Sequence, residues 1–236
     1  MKGAKKKTSD RIIRVLVIIT LVSAMVLVAL MGYQSRQSLI YAENLDKTAV
    51  KVGVQELTLE DLAFYVLYEE HSVEEKARVY DEENPMSFWN VHTNQVFIKL
   101  KAQETAMNMA VHDYLFYDEA LKCGMALTEE EKELLESRRT DFWEDLYDEQ
   151  KENLPVSYET INAAMGKIAL AEKFQQKMAV EQGTTYAAYS YDGYDYEQWL
   201  KENDIKVKVN HKVWDRINFG NITLVHDEQI SLGDEK

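Results

Sequence analysis

Two short alternating runs, AVKVGV (Ala49 to Val54) and IKVKVN (Ile205 to Asn210), bracket a long stretch patterned for helices. A lone strand leaves its backbone N–H and C=O groups unpaired, and a bare two-stranded ribbon is marginal in water. The two runs are therefore predicted to pair with each other. That pairing forces the chain to return to its starting point, with the helices between packed as a covering layer.

The intervening sequence suits helices. The 236 residues include only two prolines and nine glycines, which argues against a turn-rich sandwich or barrel. The 46% apolar content is enough for one good core. After the first run, LTLEDLAFYVLYEE opens with Thr58 as N-cap and Asp61 three residues on, and Ser72 and Glu75 repeat the spacing in HSVEEKARVY. Pro85 breaks the pattern. The longest signal runs roughly from Val91 to Cys123, with Val96, Leu100, Met107, Val111, Tyr114 and Leu121 at helical spacing and Gly124 as a left-handed cap. Thr128 and Glu131 form a capping box ahead of Leu135, Phe142 and Leu146. Ser157 caps a helix carrying Ile161, Met165, Ile168, Ala171, Phe174 and Met178 and ending at Gly183, and YEQWLKEN adds a short one. The fold class is mainly α, about five or six helices with a short two-stranded β pairing of the N- and C-terminal segments.

The N-terminus carries a different signal. Residues 1–14 hold Lys2, Lys5, Lys6, Lys7, Arg11 and Arg14 against Asp10, and Val15 to Gly32 contains no charged residue in 18 positions. At ~1.5 Å per residue such a run approaches the ~30 Å hydrocarbon core. The expected organisation is a cytoplasmic basic tail (1–14), a transmembrane signal-anchor (15–32), a stalk (33–48), a helical domain outside the membrane (49–217) and a C-terminal tail (218–236), single-pass type II. A cleaved signal peptide is the rival. Ala42 in LIYAEN offers a cleavage residue, but Ile40 is a poor residue at −3, and the run exceeds the ~7–15 residues of a signal core. Setting aside residues 1–14, the chain's 27 Lys+Arg and 41 Asp+Glu leave 21 against 40, a net of −19. That acidity argues against nucleic acid as a partner.

Chemistry-bearing patterns are sparse. None of His71, His92, His112, His211 and His226 follows a Glu by three residues, and there is no HExxH, so no metal and no cofactor are expected. No GxSxG elbow, Walker loop or GxGxxG occurs. Cys123, the only cysteine, allows no intrachain disulfide; at the negative end of a helix it is expected as a packed core thiol, not a nucleophile. EEHSVEEKARVYDEEN lacks the calcium-loop spacing and reads as a solvated acidic face. Phe88, Trp89, Phe142, Trp143, Trp199 and Trp214 are core candidates. The segment TTYAAYSYDGYDY places Tyr186, Tyr189, Tyr191, Tyr194 and Tyr196 off any helical period. Tyrosine gives amphipathic contact area at low entropy cost, so these five are candidate peptide-contact residues. The alternative is a connector whose rings pack onto the helices.

The order of segments resembles the SurA/PrsA-like N-terminal chaperone domain, a trigger-factor-C-like helical fold. AVKVGVQELTLEDLAFYV resembles its first strand and helix, with Val54, Gln55 and Glu56 in place of the usual turn. YDEALKCGMALTEEEKELLE is similar to its Ala-rich helix end, Gly and hydrophobic-Thr-x-x-Glu start, with Ala120, Gly124, Leu127, Thr128 and Glu131 in those places. KIALAEKFQQKM resembles the next helix and WLKENDIKVKVNHKVWDRI the closing helix and strand, so the likeness covers 48–217. It implies a domain that binds unfolded or exported polypeptides in apolar grooves. In fuller members a parvulin prolyl isomerase domain fills the slot after Gly183. Here only the tyrosine connector fills it, so the resemblance implies no catalysis. An envelope adaptor docking one folded partner, and a prolyl isomerase, remain the other two expectations.

Overall fold

The two bracketing runs pair, as seen in a computed structural model that describes residues 38–93 and 95–226. Strand β1 (Thr48–Val52) lies antiparallel to the last strand, β5 (Val207–Val209), with Val50 opposite Val209 and Val52 opposite Val207. The sheet has three strands, not the expected two. β2 (Gln55–Thr58) folds back on the other side of β1 through a two-residue turn at Gly53 and Val54, giving the order β2–β1–β5. Gly53 takes φ +60°, as a turn this tight demands. QELT has no apolar alternation, so nothing in it announces a strand. It is held by its pairing, with Leu57 buried beneath and Glu56 accepting from Lys51 Nζ and Thr48 Oγ1 above.

Helix α1 (Leu59–Tyr80) starts from the Thr58–Asp61 capping box and runs through Ser72 and Glu75 without a break. Pro85 precedes a single turn, α2 (Met86–Trp89), and a small hairpin, β3 (His92–Thr93) with β4 (Val96–Phe97). The hairpin occupies the start of the predicted longest helix, so α3 begins only at Ile98 (Ile98–Lys122). The predicted apolar stripe is also shifted. Leu100 and Leu121 are exposed, whereas Ala102, Ala106, Ala110 and Ala120 face inward with Met107, Val111 and Phe116. Small side chains let α3 approach closely, and its packing against α6 (Tyr158–Gln182) and α1 makes the centre of the core. Between them come α4 (Glu129–Asp145), opened by the Thr128–Glu131 capping box, and α5 (Asp148–Glu152). A 3-10 turn (Tyr186–Tyr189), α7 (Tyr194–Glu202) and α8 (His211–Trp214) complete the helices.

Both ends of the domain extend past the expected limits. Tyr41, expected in the stalk, is buried, and its hydroxyl donates to Leu59 O (2.5 Å). Leu39 N donates to Arg216 O (2.7 Å) in a parallel bridge next to Ile217. Residues 218–226, expected as a tail, bury Phe219, Thr223 and Leu224. Phe219 stands apart from the short run Ile222 to Val225, and the segment has no helical or strand period to mark these positions as core. Their anchor lies in the acidic run, which is not uniformly solvated. Glu70 is fully buried and its carboxylate accepts from Gly220 N, Ile222 N (3.1 Å), Thr223 N (2.7 Å) and Thr223 Oγ1 (2.6 Å). Four donors offset the desolvation of a buried carboxylate, although burial still holds the group above its usual range.

The expected basic tail and transmembrane anchor (1–32) lie outside the described residues, as do 33–37 of the stalk and 227–236. Among the described residues no helix is long and apolar enough to cross a membrane.

Candidate functional site

The tyrosine connector divides into a buried half and an open half. Phe116 of α3 is the hub of an aromatic cluster, touched by His112 (4.4 Å between ring centroids), Phe174 and Trp199 (both 5.3 Å), and Tyr196 (5.6 Å). Tyr189 and Tyr196, 6% and 5% exposed, belong to that core. Their burial removes them from the candidate contact set. The backbone is pinned from both long helices: His112 Nε2 donates to Tyr189 O (2.8 Å) and Gln175 Nε2 to Tyr186 O (2.8 Å). Gly193 packs so tightly that a Cβ there would lie 2.3 Å from Ala188 O. A signal for Tyr196 was present, because Tyr196, Trp199 and Leu200 share one face of α7. Tyr191 is half-buried, while Tyr186 and Tyr194 remain 41% and 71% exposed.

Tyr186 stands at the end of a groove between α4 and α6. The Arg139 guanidinium covers Gly166 of α6 and donates through Nη2 to Asn162 O; Trp143 Nε1 donates to Asn162 Oδ1 (2.9 Å). Beside this crossing lie two clefts, of about 500 and 320 Å³, that share Leu135, Arg138, Ala169 and Glu172. The apolar lining of the larger comes from Leu127, Leu134, Leu135, Ala169 and Tyr186. The smaller is lined by Phe64, Tyr68, Phe142, Met165 and Ile168. Leu134 and Leu135 are adjacent, and successive helical residues diverge by about 100°. One leucine packs inward while the other stays 54% exposed on the rim. That adjacency was the sequence signal for the groove, and the apolar-periodicity reading of α4, built on Leu135, Phe142 and Leu146, missed it.

The larger cleft is electrically neutral in a strongly acidic chain. Its four charges form two pairs, Glu131–Lys173 and Arg138–Glu172. The Lys173 ammonium and the Thr128 backbone N–H hold the Glu131 carboxyl below its usual range. Burial, reinforced by Glu172 and Asp113, pushes the Tyr186 phenol up to about 12. The ring therefore stays neutral and can both donate and accept at the groove mouth. What this arrangement offers is apolar area with a balanced polar rim.

A cleft of about 400 Å³ contains Asp61, Tyr65 and Asp113. Asp61 caps α1, Asp113 Oδ1 lies 2.7 Å from His112 Nδ1, and burial with the Asp113 charge drives the Tyr65 phenol well above its ordinary value. Cys123 is exposed instead of packed, because α3 ends at Lys122 and Gly124 turns the chain away. No group of three His, Cys, Asp or Glu among the described residues is placed to hold a metal ion. No protein-family model, curated protein or solved structure matches this chain.

Proposed function

We propose that this chain is a non-catalytic, chaperone-like binder of unfolded exported polypeptides, tethered to the membrane by residues 15–32 with its domain on the extracytoplasmic side. The observation that carries the reading is the neutral apolar groove between α4 and α6. A held polypeptide in extended form offers apolar side chains in sequence after sequence, with no fixed charge pattern. Burying such side chains is favourable at about 25 cal/mol per Å² whatever their order, so a groove of this chemistry binds broadly and weakly. The paired charges on its rim repel neither acidic nor basic clients. The acidic remainder of the domain keeps it soluble and away from anionic lipid and nucleic acid. The resemblance to chaperone domains of the SurA and PrsA type supports the same reading, and the short connector after Gly183 supports binding without isomerisation.

The test uses the full chain in detergent or nanodiscs with a chemically denatured client whose aggregation is followed by light scattering. Leu134→Asp with Tyr186→Ser alters exposed groove positions, so the fold survives and client protection falls. A photo-crosslinker at position 134 should capture many unrelated clients in cells. Equal protection by the double variant overturns the groove assignment. Capture of a single folded protein replaces the chaperone reading with the adaptor one. Turnover of an X-Pro peptide above background overturns the non-catalytic assignment.

A further inference from the structure

The segment that closes the fold, residues 218–226, is tied to α1 by two buried carboxylates of different character. Glu70 holds the backbone N–H groups of 220–223, as described above. One turn further along α1, Glu74 is also buried and gathers three donors: Trp89 Nε1 (3.0 Å), Arg78 Nε (2.9 Å) and His226 Nε2 (3.0 Å). His226 is the last described residue. Its other ring nitrogen, Nδ1, faces Gly220 O (2.9 Å) and Asn221 Oδ1 (3.2 Å). A carbonyl oxygen only accepts, and so does a carboxylate, so both ring nitrogens must donate for both contacts to be hydrogen bonds. A neutral imidazole carries one N–H and can make only one of them.

We infer that residues 218–226 form a proton-dependent latch on α1, closed while His226 carries hydrogen on both ring nitrogens and loosened when one is lost. The surroundings favour the closed form. Glu74 and Glu75 of α1, Glu82 and Glu83 of the loop that follows, and Glu149 of α5 all line the cleft at His226, where Arg78 is the one cation among the described residues and Tyr147 adds a neutral phenol. Glu149 also accepts from Val225 N, and the Arg78 guanidinium is stacked 3.8 Å from the Tyr147 ring centroid. Burial lowers the His226 ring, but the Glu74 carboxylate and the Gly220 carbonyl outweigh it and leave the ring above its usual value. A histidine raised in the folded state stabilises the fold below its unfolded pKa, and that stability is lost as pH rises through the raised value. The latch is therefore closed in mildly acidic surroundings and released toward alkaline pH. Release uncovers Trp89, whose ring packs on Gly220 at 2.9 Å from where a Cβ would be and neighbours Phe219.

The experiment is an NMR pH titration of the full chain in micelles, reading the His226 ring nitrogens together with exchange protection of the Gly220 and Thr223 amides. Both ring nitrogens should be protonated at about pH 6, where a free histidine of pKa ≈ 6.5 is only partly so. Corrected for intrinsic exchange, protection of the two amides should fall at least about tenfold between roughly pH 6 and 8.5, following the ring. In His226→Gln, protection should be low and independent of pH over that range. A wild-type ring that titrates at or below the free value overturns the latch without recourse to any variant. So does protection that does not change with pH, or a His226→Gln chain that retains the wild-type slope.

Discussion

Replacing Phe219 with alanine tests whether the chain past β5 is core or tail. The ring is fully buried, 6.4 Å from Trp89 and 6.5 Å from Trp214 between centroids. It sits next to Gly220, whose amide is one of the donors to Glu70, so the cavity left behind is walled by a loop already held in place and cannot collapse freely. A buried Phe→Ala change costs ~3–5 kcal/mol under those conditions. At about 2–4 °C per kcal/mol for a domain of this size, the melting temperature should drop by roughly 6–20 °C. Phe219→Leu, which keeps most of the volume, should cost less than about 1.5 kcal/mol. Urea unfolding of the full chain in micelles, followed by tryptophan fluorescence, should show the midpoint moving with an unchanged slope. An alanine variant within about 1 kcal/mol of wild type, or indistinguishable from the leucine variant, would refute the placement of 218–226 in the core.

Other consequences follow from the same contacts. Tyr189→Ser and Tyr196→Ser should each cost about 3 kcal/mol or more by thermal melting, whereas Tyr186→Ser and Tyr194→Ser should stay within ~0.5 kcal/mol; equal effects would contradict the division of the connector. Gly193→Ala should destabilise by about 1–3 kcal/mol, because its Cβ would meet backbone and no flexible side chain can move aside. Burial raises the Glu74 carboxyl, but donors from His226, Trp89 and Arg78 outweigh it and leave the group below its usual range. Its contribution is present above the unfolded glutamate value and is lost as pH falls through the depressed one, so Glu74→Gln should flatten the acid limb of the stability–pH curve measured by denaturant midpoints.

Much of the architecture was legible in the sequence because its signals are local. Capping at Thr58, Thr128 and Ser157 uses a side chain and an amide three residues away, and Gly124 and Gly183 stop helices through their own backbone freedom. The pairing of β1 with β5 was also legible, since two alternating runs in a helical chain have no other partner in view. What only the tertiary structure decided depends on neighbours distant in sequence. QELT becomes a strand because β1 offers it a ladder, and α3 turns its alanines inward because α6 needs close approach. Leu134 comes to line an open groove because α4 crosses α6 at Gly166 and leaves that flank uncovered. Glu70 and Glu74 look like the other acids of their run, and they are buried because donors some 150 residues later in the chain fold back onto them. A carboxylate in sequence has no burial of its own; its partners assign it, and those partners are gathered only when the chain has folded.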